Sequence, residues 1–257
     1  MERKRIGFPV VLAVCGKGGV GKTCISALMV KALCSDQKIR VLAIDADPAV
    51  GLASALGVAA SCTVDDIRNE LIAKIRGQKL SDRAETVSML EYELFSALAE
   101  HENLAFLAIG RPETDGCYCR VNRILKEIIG DLASGFDYVV IDGEAGIEQV
   151  NRRVMERVTH LLLVADPSAR AVSVAVTIMD VARRVIEFRK AGIVLNRVRH
   201  GERTDLLEIP QDMEMIGTIP DDETIHRADL SGTPLLNAAH GSAYLAVAGR
   251  VLAWMNS

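Results

Sequence analysis

Gly16-Lys17-Gly18-Gly19-Val20-Gly21-Lys22-Thr23 packs two lysines and a hydroxyl among four glycines near the start of the chain. The spacing is G-x-x-x-x-G-K-[ST]. Glycines in such a loop let backbone N–H groups curl around phosphate oxygens, and a helix beginning at Lys22 would aim its positive end at them. Lys22 is the side chain for the β- and γ-phosphates, and the Thr23 hydroxyl is a Mg²⁺ ligand. Cys24 follows directly. Lys17 has no obvious task in a site of this kind built from one chain.

Carboxylates stand where the same chemistry needs them. "VLAIDADP" closes an apolar run with Asp45 and Asp47, and "YVVIDGEAG" closes another with Asp142, followed by Gly146. Acids at the carboxyl ends of parallel strands face the crevice above the sheet, where phosphates lie. Asp142 is expected to hold a Mg²⁺-bound water, and the Gly146 N–H to sense the γ-phosphate. Asp45 or Asp47 would orient the attacking water. "GIVLNRVR" supplies Asn196-Arg197 with no acid after it, unlike the Asn-Lys-x-Asp of GTP-binding folds, so ATP is the expected nucleotide. Asn196 is then the candidate for the adenine edge, with the loop at Pro220 and Asp222 against the base.

These residues need a frame. Apolar runs at Val10–Val14, Arg40–Asp45, Leu104–Ile109, Tyr138–Asp142, His160–Asp166, Gly192–Asn196 and Met213–Gly217 read as strands, several continuous enough to be covered on both faces. Helical periodicity fills Lys22–Cys34, Val64–Arg76, Ala84–His101, Val121–Leu132, Ile147–Glu156, Ala169–Arg189 and Ser242–Met255. Thr63-x-x-Asp66 carries a capping-box-like start. The order predicts an α/β fold: a doubly wound, mostly parallel sheet with helices on both faces, as one domain over 1–257. Gln78–Arg83 is polar and reads as a loop.

Composition narrows the function classes. The chain has 257 residues, 49% hydrophobic and 25% charged, with a formal net charge of −4 and 4% aromatics. No basic run of the kind a nucleic-acid binder presents is found. No stretch reaches the ~18 apolar residues of a membrane span. Arg3-Lys4-Arg5 and the apolar run after Phe8 imitate a secretion signal, but the residue before Cys15 is valine, not a small one, and the run leads into the glycine loop. A first core strand and a cytoplasmic location, without nucleic-acid or membrane partners, are the expectation. Of the six cysteines, four are scattered and read as small buried hydrophobes. Cys117 and Cys119 are the exception, because alternate residues of an extended segment project to one side. Two thiolates are either half of a tetrahedral soft-metal site, with a two-fold dimer to supply the other half, or a pair of buried or redox-active thiols. Four thiolates suit Ni²⁺ and Zn²⁺ alike.

The loop Lys17-Gly18-Gly19-Val20-Gly21-Lys22-Thr23 resembles that of MinD/NifH-type ATPases with the deviant K-G-G-x-G-K-T sequence. The likeness continues through Asp47-Pro48, Asp142–Gly146, Asn196-Arg197 and Ile219-Pro220. It implies a homodimer in which Lys17 reaches the partner's phosphates as a lysine counterpart of an arginine finger. "GRPETDGCYCRVNRIL", "DGEAGIE" and "VADPSARAV" are most similar to CooC-type ATPases, which assist nickel insertion into carbon monoxide dehydrogenase, and to acetyl-CoA synthase maturation factors. That resemblance implies an ATP-hydrolysing metallochaperone holding a metal between subunits through Cys117 and Cys119, with such an enzyme as client. One departure stands out: the family's D-A-D-P-N-x-N-L is here Asp45-Ala46-Asp47-Pro48-Ala49-Val50-Gly51-Leu52, without either amide.

Two other readings of the same loop differ in what else they need. MinD- and ParA-type positioning ATPases work on a membrane or DNA, yet "SAYLAVAGRVLAWM" has one arginine and reads as a packed helix, and neither explains Cys-x-Cys. A NifH-like reductase holds an iron–sulfur cluster with cysteines from separate loops, and no clear second cysteine precedes Asp142.

Overall fold

The computed structural model describes residues 8–76, 83–111, 119–143, 150, 154–223, 225, 227, 231–235 and 242–257. Its centre is an eight-stranded sheet of order β3-β4-β2-β5-β1-β6-β7-β8. The strands are β1 (Val10–Cys15), β2 (Val41–Asp45), β3 (Ala99–His101), β4 (Leu104–Ala108), β5 (Tyr138–Asp142), β6 (His160–Ala165), β7 (Lys190–Val198) and β8 (Glu214–Pro220). All neighbours run parallel except β3, which pairs antiparallel with β4 at one edge.

The central strands are buried on both faces because both faces carry helices. In β1, Val11, Ala13 and Cys15 enter one apolar layer, while Leu12 and Val14 enter the other. The first layer lies under α3 (Val64–Arg76), α4 (Arg83–Ala97), α5 (Cys119–Ala133) and α6 (Ala169–Val185). The second lies under α1 (Lys22–Cys34), α2 (Gly51–Leu56) and α7 (Ser242–Met255). Period-two alternation on a sheet that is covered twice leaves no polar face, which is why these strands read as unbroken apolar runs. On α7, Tyr244, Val247, Val251 and Trp254 are buried. Among the described residues no helix is long and apolar enough to cross a membrane.

Expected and observed elements differ in instructive places. The helix expected over Ala84–His101 ends at Ala97, and Ala99–His101 turns back as β3. Glu102 takes a left-handed φ of 51° to make the reversal. Asn103 then pins it, donating Nδ2 hydrogen bonds to the carbonyls of Cys34, Asp36 and Ile39. Such turn chemistry in "HENL" competes with the helical period and wins. The helix expected to reach Arg189 stops at Val185, because Ile186 is extended and buried. Two short elements, α2 and a 3₁₀ turn at Thr204–Leu206, are additional. The capping box forms: Thr63 N–H donates to Asp66 Oδ2 at 2.8 Å, and Asp66 N–H to Thr63 Oγ1 at 3.2 Å.

The extended segment expected through both cysteines is not met at Cys119, which opens α5. Cys117 lies outside the described residues, as do Gly146, residues 78–82 and six of the ten residues of the helix expected at Ile147–Glu156, of which 154–156 are described and form no helix.

Candidate functional site

The site grows from the end of β1. Gly16 leaves the strand, and Gly21 caps α1 in a left-handed conformation, φ 93°. A side chain at Gly21 would be strained by that φ, and its Cβ would overlap Asn196 Nδ2. No side chain caps α1 and no acid occupies its first turn, which suits an anion at its N-terminus. The Lys22 ammonium folds back to the Lys17 carbonyl at 3.4 Å, with the residue only 8% exposed. Lys17 itself is exposed.

Two consecutive residues at the end of β7 hold this loop from the side. Asn196 Nδ2 donates to the Val20 carbonyl at 2.8 Å, and Arg197 Nη1 donates to the Gly19 carbonyl at 2.9 Å. In a trans peptide N–H points opposite to C=O, so drawing both carbonyls toward β7 turns the N–H groups of Val20 and Gly21 away from it. Arg197 pays with a left-handed φ of 60°. The Oδ1 of Asn196 is buried and accepts no hydrogen bond within the protein.

Beneath the loop lie the carboxylates. Asp142 Oδ1 accepts from the Ser26 hydroxyl at 2.9 Å, and the Thr23 hydroxyl also hydrogen-bonds this carboxylate. Asp142 Oδ2 is buried without a partner. Burial pushes the Asp142 carboxyl up to about 6, against the opposing pull of Thr23, Ser26 and Lys22. Asp45 is fully buried and pushed up to about 7, by burial first and by the Asp142 charge second. Its Oδ1 accepts from Asp47 N–H at 3.1 Å and its Oδ2 from Leu52 N–H at 2.8 Å. Asp45 thus ties down both ends of the loop that presents Asp47. An orphaned carboxylate oxygen beside a threonine hydroxyl, under an anion-binding loop, fits a hard divalent cation such as Mg²⁺.

All these residues border or underlie one cavity of about 990 Å³. Gly18, Gly19, Gly21, Lys22, Thr23 and Cys24 line it from the loop and the start of α1, Asn196 and Arg197 from the end of β7 beside the loop, and Asp47 and Asp222 also border it. Asp45 and Asp142 are buried behind this lining, and Pro220 ends β8 without reaching it either. Sequence reasoning missed Ser26, although a second hydroxyl one helical turn after Thr23 was a usable signal. It also missed Tyr244, whose phenol reaches the cavity from α7 and is pushed up mainly by burial. A lone tyrosine in an apolar helix gave no such signal. Among the described residues no group of three or more His, Cys, Asp or Glu is placed to hold a metal ion. Cys117 and the side chain of Cys119 lie outside that description.

Residues 11–235 match the CbiA family, described as the CobQ/CobB/MinD/ParA nucleotide binding domain. The chain belongs to that family. It is a P-loop ATPase of the MinD/ParA type, and its loop and parallel sheet are in keeping with that. Among its relatives is an uncharacterised ATP-binding protein of Methanocaldococcus jannaschii, 36% identical over 89% of this chain and 91% of that protein. The carbon monoxide dehydrogenase accessory protein CooC of Rhodospirillum rubrum is 31% identical over 86% of this chain and 87% of its own length. The septum site-determining protein MinD of Pyrococcus horikoshii, solved with Mg-ADP, superposes with a TM-score of 0.65. It covers 97% of this chain and 99% of its own at 22% identity, so it bears on the fold alone.

Proposed function

We propose that this ATPase is a homodimeric metallochaperone that uses ATP to deliver nickel to a metalloenzyme of the carbon monoxide dehydrogenase or acetyl-CoA synthase type. The observation that carries the reading is the division between its two loop lysines. Lys22 is folded into the phosphate loop and lines the cavity, whereas Lys17, five residues earlier on the same loop, is exposed and lies outside the cavity lining. A phosphate site with one lysine built in and a second directed outward suits completion by a second copy. The similarity to the CooC accessory protein and the Cys117-Tyr118-Cys119 sequence support the metal and client parts.

In this reading the loop N–H groups and Lys22 bind the β- and γ-phosphates, while Asn196 and Arg197 keep the loop carbonyls turned away from them. The unpaired Asn196 Oδ1 and Asp222 are assigned to the adenine end, while Pro220, which does not line the cavity, is left without a contact to the base. Asp47 orients the water that attacks the γ-phosphorus, and the bond to the β–γ bridging oxygen breaks to leave ADP and phosphate. Lys17 of the second copy offsets charge on the transferring group. Thr23 and Asp142 would hold Mg²⁺, which supplies charge neutralisation between the phosphates when bound. Cys117 and Cys119 from both subunits would hold the cargo Ni²⁺, with Zn²⁺ as its competitor.

Equilibrium dialysis with Ni²⁺ tests the reading. One ion per dimer is expected for the native protein, and none for Cys117→Ser or Cys119→Ser, each still binding ATP. Unchanged stoichiometry in both variants would refute the metal assignment. A brown protein with a visible charge-transfer band would point instead to a resident iron–sulfur cluster.

A further inference from the structure

Arg68 is a charged side chain, 6% exposed, set between α3 and α5. Its Nε donates to Asn122 Oδ1 at 2.8 Å, and its Nη1 lies 4.0 Å from Asp65 Oδ1 and 3.4 Å from Asn69 Oδ1. Asn122 belongs to the first turn of α5, the helix that Cys119 opens. Burying a guanidinium is costly, and an apolar side chain would fill the same space more cheaply. What the guanidinium adds is direction, because it fixes where the first turn of α5 sits relative to α3.

From Arg68 hydrogen bonds lead back to the nucleotide site. Asp65 N–H donates to the Ile109 carbonyl at 3.0 Å, and Ile109 N–H donates to the Asp45 carbonyl at 2.8 Å. Asp45 is the residue whose carboxylate clamps Asp47 and Leu52. The loop so clamped contains Val50, a β-branched residue held at φ 50°, a conformation that costs energy and persists only while its surroundings enforce it. A strained loop facing the cavity through Asp47 has reason to rearrange when a nucleotide arrives.

We infer that Arg68 is a positioning residue that passes the nucleotide state of the Asp45–Leu52 loop to the first turn of α5, and so to Cys119. The route is Asp45, Ile109, Asp65, Arg68, Asn122. Its consequence for bound metal rests on the metallochaperone reading above. By linkage, a nucleotide that alters the thiol geometry must in turn be bound more or less tightly when metal is present.

Two readouts on the full-length protein test this. Amide hydrogen exchange at Val121–Leu125 is measured with and without a non-hydrolysable ATP analogue and Mg²⁺. Zinc affinity is measured in the same two states by competition with a chromophoric indicator. In the native protein both should change with nucleotide, on the order of tenfold. Asn122→Ala should reduce each change to within about twofold while analogue affinity is kept, and Asn122→Asp, which restores an acceptor for Arg68, should recover it. Arg68→Met, of similar length and apolar, should behave as Asn122→Ala does. Nucleotide-dependent exchange persisting in Asn122→Ala and Arg68→Met would overturn the inference, as would a native protein whose α5 does not respond. A native protein that shows the exchange response but binds no zinc would remove the metal reading and leave the link standing.

Discussion

Asp45 and Asp142 stand in register as partners at the carboxyl ends of neighbouring parallel strands β2 and β5. Both are buried, and each carries a different second task. Asp45 spends its two oxygens on the backbone N–H groups of Asp47 and Leu52, whereas Asp142 spends one on Ser26 and keeps Oδ2 unpaired. Like charges this close cannot both ionise cheaply in the absence of a cation. The pair therefore divides into an acid that shapes the loop and an acid available to a cation.

That division has a pH signature. A carboxyl in the unfolded chain titrates at about 4, and burial pushes Asp142 and Asp45 in the folded protein up to about 6 and about 7. Because the folded values are raised, the contribution of these groups to stability is full below pH 4 and is lost as pH rises through 6 and 7. Melting temperatures of the nucleotide-free protein should reflect this loss, and Mg²⁺ with nucleotide should offset it, so the stabilisation by ligand grows from pH 5.5 to 8. Asp142→Asn should flatten the profile and raise nucleotide-free stability at pH 8 by on the order of 2 kcal/mol. A profile of unchanged slope in that variant would show that Asp142 is not the source.

The two lysines of the loop should separate kinetically. Lys22→Ala removes the ammonium inside the cavity and should abolish measurable nucleotide binding by calorimetry. Lys17→Ala leaves that cavity intact, so nucleotide affinity should change less than about fivefold while hydrolysis falls by on the order of 10² or more. ATP-dependent dimerisation, followed by sedimentation, should weaken with it. A Lys17→Ala protein that hydrolyses ATP normally as a monomer would exclude a cross-subunit role.

Much of this site was legible because its chemistry is local. The loop from Gly16 to Thr23 and the acids at strand ends are short-range signals, and the unbroken apolar runs announced a sheet buried on both faces. What stayed hidden depends on contacts between distant segments. Nothing in "NRVR" says that Asn196 and Arg197 will grasp the carbonyls of Val20 and Gly19. Nothing in α3 says that Arg68 will be buried against Asn122. The missed β3 had a local signal, Glu102-Asn103, but helical periodicity upstream outweighed it until the contacts of Asn103 to the end of α1 were visible.

Gly21 makes the long-range dependence testable. Alanine there must adopt φ near 93°, and its Cβ would press on the amide nitrogen that Asn196 gives to Val20. Gly21→Ala should lower nucleotide affinity by about tenfold or more, because the loop can no longer close against β7. The global melting transition should fall only slightly, since β1 and α1 keep their buried faces. Equal affinity for native and variant proteins would mean that the loop finds its phosphate-binding shape without Asn196.

Arg197 offers the reciprocal experiment, in which strain and function are expected to part company. Its φ of 60° is unfavourable for any residue with a Cβ, by on the order of 1 kcal/mol, and its exposed side chain adds little to the core. Arg197→Gly relieves that strain at the cost of a freer unfolded chain, so stability by chemical denaturation should stay within about 1 kcal/mol of native. The hydrogen bond to the Gly19 carbonyl is lost, however, and with it one of the two tethers that orient the phosphate loop. Nucleotide affinity should fall about fivefold to tenfold, and Arg197→Lys should recover only part of it, because an ammonium lacks the fixed reach of a guanidinium. A glycine variant that is markedly unstable yet binds nucleotide as the native protein does would reverse the assignment, making Arg197 a structural residue with no hold on the loop.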